Sequence, residues 1–182
     1  MKTHCPCCEN TYPNDDELAF HYWLAEAKHS GHILGWQYQC PRFLLSEKET
    51  ISEELEYFTP AKKIRKTKIV TETILREHTY TPDFEISEPS TRLSKMLPEL
   101  RKYNPVSAHF YFDVKPSFEK YHSRAEAFRI NQNWMRSKHG IFVHPVIPKD
   151  FFHRTWVPEK LAFCLNGTRR KPFADCLLVG EV

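Results

Sequence analysis

The chain has 182 residues and a mass of 21.6 kDa, which fits one domain with a small appendage. Apolar residues at 41% and charged residues at 27% support a packed core, and no apolar run approaches the ~18 residues of a membrane span. With 5 Gly, 13 Pro and no GxGxxG or GxxxxGK[ST] motif, a Gly-rich nucleotide cradle is excluded, and a net charge of +3 is too small to demand an anionic partner. No basic-then-apolar leader opens the sequence, so an intracellular, cytoplasmic protein is expected, in a bacterial or phage-infected cell.

At the N-terminus Cys5, Cys7 and Cys8 crowd together, while Cys40, Cys164 and Cys176 are scattered. Close cysteines without a secretory context bind metal or stay reduced. The run Cys5-x2-Cys8-x3-Tyr12-x5-Leu18-x2-His21 reproduces the opening of a two-cysteine, two-histidine zinc finger. It makes Cys5, Cys8 and His21 candidate zinc ligands on a small knuckle at 1–13. The second histidine is missing from its usual place, with His29 and His32 too far along, so His4, Cys7 or a distant Cys40, Cys164 or Cys176 would complete the set.

Between Asn14 and His29, Phe20, Trp23, Leu24 and Ala27 recur at helical spacing and Gly31 stops the run. Glu17 extends this stripe by one turn, and it also fits position N3 of a capping box opened by Asn14. Extended chain is expected over 33–45 with a break near Pro41, a polar loop or short helix over 46–60, and a β-branched hairpin arm over 64–78. Lys62, Lys63, Arg65, Lys66 and Lys68 make this stretch basic and a candidate nucleic-acid contact; Arg169-Arg170-Lys171 is a second basic cluster.

Residues 79–86 read as one strand, with Asp83 and Glu85 on the face opposite Phe84 and Ile86. The Pro-rich 87–107 segment interrupts the pattern, with a short helical piece at 92–97. A strand over 108–115 then puts Phe110, Phe112 and Val114 on one face and Tyr111, Asp113 and Lys115 on the other. A helix follows to Gly140, then a strand over 141–147 and an irregular, aromatic-rich tail from 148 to 182. The order predicts a mixed α/β domain.

Acids and a lysine two residues apart are too costly to bury unpaired, so they are expected in a cleft or at a sheet end. Asp83, Asp113 and Lys115 together supply what phosphodiester hydrolysis uses: carboxylates for a hard divalent cation and an ammonium for the nucleophile or transition-state charge.

Pro82-Asp83 followed by Asp113-Val114-Lys115 resembles the signature of the PD-(D/E)XK nuclease superfamily, over about residues 14–147. The surrounding order resembles two of its branches, the transposon-end nuclease subunit and the small phage endonucleases related to junction resolvases. The resemblance implies a restriction-endonuclease-like core with a mixed central sheet flanked by helices. It implies a Mg²⁺- or Mn²⁺-dependent DNA endonuclease acting in phage or mobile-element DNA. Asp83, Asp113 and Glu17 would then hold the metal and Lys115 would serve the attacking water. Glu85 reads as a bystander or an extra ligand, and Arg124 and Arg129 on the helix after the lysine as DNA contacts. The 29 residues between Asp83 and Asp113 make 87–107 an insertion available to substrate. A partner recombinase or transposase subunit and a homodimer are both compatible with this reading. The reading from another class is a non-catalytic, zinc-stabilised nucleic-acid-binding module.

Overall fold

The computed structural model describes residues 3–5, 10–59, 64–115 and 123–182. The chain divides into two compact units, one of residues 1–41 with 81–182 and the other of residues 42–80.

The larger unit opens with a two-stranded ladder of β1 (Thr3–His4) and β2 (Thr11–Tyr12). Helix α1 (Asp15–His29) follows because its ends are well marked. The Asn14 side chain accepts from the Glu17 N–H, acids occupy the first turn and Lys28 and His29 the last. Gly31, at φ +71°, carries the chain out of the helix in a conformation that β-carbons disfavour. Strand β3 (Gly35–Tyr38) then starts the sheet.

The smaller unit holds β4 (Phe43–Ser46), β5 (Glu49–Thr59), β6 (Ile64–Leu75) and β7 (His78–Tyr80). It pairs β4 with β7 and β5 with β6, both antiparallel. The acidic 46–60 stretch is therefore mostly a strand, not the loop or short helix that its polarity suggested. Glu54 and Glu56 alternate with Leu55 and Tyr57 in a ribbon exposed to solvent on both faces. The expected single strand over 79–86 is likewise two strands in two different sheets, broken at Pro82, which lacks a backbone donor.

Back in the larger unit come β8 (Phe84–Ser87), α2 (Thr91–Met96), α3 (Pro98–Tyr103), β9 (His109–Val114), α4 (Ser123–His139), β10 (Val143–Val146), α5 (Pro148–Arg154) and α6 (Glu159–Ala162). The sheet order is β10-β9-β8-β3, with β9 and β10 parallel and the other neighbours antiparallel. The parallel pair is joined through α4. The result is α/β with a mixed sheet, as the element order predicted.

The core lies between this sheet and α1. The Phe20 ring meets Phe84, Phe112 and Phe151 at centroid distances of 5.3, 5.6 and 5.4 Å, and Trp23 stacks on Trp156 at 4.7 Å. Two further segments join it. Leu93, Leu97 and Leu100 from the 87–107 stretch are buried, so α2 and α3 are packed core elements rather than a loop around a short helical piece. The tail expected to be irregular forms α5 and α6 and buries Phe152, Trp156 and Val157; Arg169 and Arg170 fold its end by donating to the carbonyls of Cys176 and Phe163. Among the described residues, no helix is long and apolar enough to cross a membrane.

Candidate functional site

The site is built where β8 and β9 begin to diverge. Their register pairs Phe84 with Phe112, and carried one step further it sets Asp83 opposite Asp113. Asp83 is tied to that place: its Oδ2 accepts from the Val114 N–H at 2.7 Å. Its carbonyl accepts from the Gln39 N–H at 2.8 Å, with Gln39 held at φ 54°. Asp113 is buried and Asp83 half-buried. The Asp113 carboxyl is close enough to act directly on that of Asp83. Burial first, then the charges of Asp113 and Glu17, raise the pKa of Asp83 well above the ordinary carboxylate range, against the opposing pull of the Val114 N–H.

Lys115 completes the group. Its Nζ lies 2.7 Å from Asp113 Oδ1 and 5.0 Å from the centre of the Phe128 ring on α4. Its backbone N–H donates to the Val146 carbonyl at 2.7 Å, so β10 fixes the point from which the side chain leaves.

Glu17 approaches from α1 and is buried. Its Oε1 accepts from Asn14 Nδ2 at 2.9 Å and its Oε2 from the Tyr38 hydroxyl at 3.0 Å. Burial raises its pKa, the two hydrogen bonds oppose the rise, and the charges of Asp113 and Lys115 reach it with opposite signs. Glu17 therefore belongs both to the helix cap and to the field of the site. Among the described residues no three His, Cys, Asp or Glu side chains gather closely enough to hold a metal together.

Tyr38 is the residue that sequence reasoning missed. Its signal was the alternation of Trp36 and Tyr38 on β3, with the exposed Gln37 between them. That alternation turns both rings towards α1, where Trp36 meets His21 at 4.9 Å. Glu85 stands apart, with His109 Nδ1 at 2.5 Å from its Oε1. Gln132, on α4, donates to the Val143 carbonyl at 2.7 Å and so holds β10 in place.

At the N-terminal knuckle Cys5 is buried and its Sγ lies 3.4 Å from Nε2 of the buried His21. Burial, then the charge of Lys160, lowers the His21 pKa to about 4, so its imidazole is neutral at physiological pH. Cys8 lies outside the described residues, as do Lys62 and Lys63 and the side chain of Arg124. Arg129 is exposed on α4. Arg65, Lys66 and Lys68 are exposed on β6, in the other unit. Their antiparallel neighbour β5 carries Glu53, Glu54 and Glu56, and Arg65 pairs with Glu56 at 3.9 Å. The ribbon thus carries both signs of charge.

The chain matches no protein-family model, no curated protein and no solved structure.

Proposed function

We propose that this chain is a metal-dependent DNA endonuclease with a PD-(D/E)XK-type, restriction-endonuclease-like core. The observation that supports it is the Asp83–Asp113 carboxyl pair with the Lys115 ammonium 2.7 Å from Asp113. Two carboxyls brought this close repel each other when both are ionised, and a divalent cation relieves that repulsion. Mg²⁺ commonly takes one or two protein carboxylates and fills its shell with water and phosphate oxygens, so a pair of aspartates fits it without Glu17.

Asp83 and Asp113 would hold Mg²⁺ or Mn²⁺, which when bound neutralises phosphoryl oxygens and acidifies a water. Lys115 presents donors beside Asp113, where they orient the attacking water or meet charge developing on the phosphoryl group. Phe128 shields one side of that ammonium and strengthens its interactions by excluding water. Glu17 lies within the electrostatic reach of the pair, and Tyr38 and Asn14 keep Glu17 in place. Arg129 follows Phe128 on α4 and is available to a backbone phosphate. The bond from water oxygen to phosphorus forms as one P–O ester bond breaks, with no covalent enzyme intermediate.

A structural zinc ion at the knuckle belongs to the same proposal. Tetrahedral zinc separates a thiolate sulfur from an imidazole nitrogen by about 3.6 Å, and Cys5 and His21 stand at 3.4 Å. The remaining ligands would come from the segment that holds Cys7 and Cys8.

The test is plasmid nicking with Mg²⁺ or Mn²⁺. Wild type is expected to nick, and Asp113→Asn and Lys115→Ala to lose at least about a hundredfold in rate. Cleavage by either variant at the wild-type rate removes the mechanism. Salt-sensitive DNA binding that ignores both Mg²⁺ and loss of the acids supports the non-catalytic binding module instead.

A further inference from the structure

The β5–β6 ribbon has two unlike faces. Its register pairs Ile51 with Glu72, Glu53 with Val70, Leu55 with Lys68 and Tyr57 with Lys66, and these pairs share one face because directly opposed residues point the same way. Among the described side chains the other face is mostly polar, with threonines, Glu54, Glu56 and Arg65, and with Ser52 and Thr71 hydroxyls bonded at 2.9 Å; Ile69, 65% exposed, is its apolar exception. That second face suits water.

The first face does not. Ile51, Leu55, Tyr57 and Val70 lie along it at 49, 50, 47 and 36% exposure. Antiparallel sheets normally bury the apolar face and solvate the polar one, and here the apolar face is in solvent. Its charges are also ordered. Glu53 and Glu72 lie towards the open end of the hairpin, and Lys66 and Lys68 towards its tip. A face that is acidic at one end and basic at the other complements a copy of itself turned end for end.

We infer that this ribbon face is the interface of a two-fold symmetric homodimer, in which two hairpins stack antiparallel, face to face. A two-fold axis across the ribbons lays Ile51 of one copy against Tyr57 of the other and Glu72 against Lys66. Each contact occurs twice. Nearer the axis, Leu55 lies opposite Glu53 of the other copy and diagonal to its Val70, while Glu53 is diagonal to the other copy's Lys68. A nucleic acid on the same face would meet Glu53 and Glu72 among the lysines, so the charge order favours a second copy over a phosphate backbone. The inference is independent of the nuclease reading, since none of these residues lies in the Asp83–Asp113 site.

The experiment is sedimentation velocity of the full chain, free of DNA, over a wide range of concentration. Wild type is expected to form dimers. Lys66→Glu and Glu72→Lys are each expected to weaken dimerisation roughly tenfold, because two symmetry-related pairs become repulsive. The double variant, Lys66→Glu with Glu72→Lys, restores the pair with its polarity reversed and is expected to regain wild-type affinity. Circular dichroism checks that each variant is folded. A wild type that stays monomeric overturns the inference. So does a dimer indifferent to the single changes, or a double variant no better than the singles. A monomer whose DNA affinity falls with Lys66→Glu and rises with Glu72→Lys overturns it in favour of a nucleic-acid surface.

Discussion

The Val114 N–H donates to Asp83 across the opening of the β8–β9 ladder at 2.7 Å, so the backbone of one site strand holds the acid of the other opposite Asp113. The pairing is imposed by the sheet, and the cost of bringing two carboxyls together is borne by the fold.

That cost has a pH signature. The folded-state pKa of Asp83 is raised above its unfolded value of about 3.9, so the folded chain binds a proton that the unfolded chain has released. Stability from this group is fully present below pH ~4 and is lost as pH climbs towards the raised folded value. Asp83→Asn keeps an acceptor for Val114 and gains a donor for Asp113. In EDTA, its melting temperature is expected to exceed wild type by about 5 °C at alkaline pH and to vary less with pH. Thermal melts over the pH range check this, and parallel profiles for the two proteins defeat it.

Tyr38 is expected to act through Glu17. Removing its hydroxyl takes away a hydrogen bond that favours the ionised carboxylate, so the pKa of Glu17 rises further. For Tyr38→Phe, nicking is expected to slow roughly fivefold, the loss of about 1 kcal/mol. The acidic limb of the pH–rate profile should move to higher pH while the melting temperature changes little. A slower enzyme with an unmoved limb would assign Tyr38 a packing role alone.

Much of this site was legible in the residues. Period-2 alternation in 108–115 separated Phe110 and Phe112 from Asp113 and Lys115, and the helical stripe of α1 put Glu17 on the buried side. What stayed hidden depends on contacts distant in sequence. Nothing local links Tyr38 to Glu17, or tells that the 46–60 acids would be balanced by β6. Polarity misled at 87–107 because short helices need few apolar residues to anchor them: Leu93, Leu97 and Leu100 suffice. The tail after 148 misled for a related reason, since its apolar residues are spread over turns and short helices that show no extended period.

Asn104 ends α3 and carries the clearest structural load of that segment. It is buried, its Oδ1 accepts from the Phe142 N–H at 3.0 Å, and its Nδ2 donates to the Phe142 carbonyl at 3.2 Å and lies 3.1 Å from His144 Nε2. Asn104→Ala strands those buried groups and is expected to cost about 2–3 kcal/mol. Urea denaturation measures it, and a loss below about 0.5 kcal/mol would mean that water replaces the amide.

At the knuckle, purified wild type is expected to carry one zinc ion per chain by elemental analysis. Cys5→Ser and His21→Ala are each expected to lower that content and the melting temperature together. Zinc-free wild type, or a variant with undiminished zinc, removes these two residues as ligands.

The Gln39 N–H reaches the Asp83 carbonyl at 2.8 Å and the Cys40 N–H reaches Pro82 at 3.3 Å. The polypeptide thus leaves the larger unit and re-enters it through the same doorway, stitched shut by main-chain bonds. The 42–80 ribbon is in that sense a detachable graft. Replacing it with a tight turn should leave the acids and the lysine where they are, so cleavage chemistry and self-association are separable by a single internal deletion.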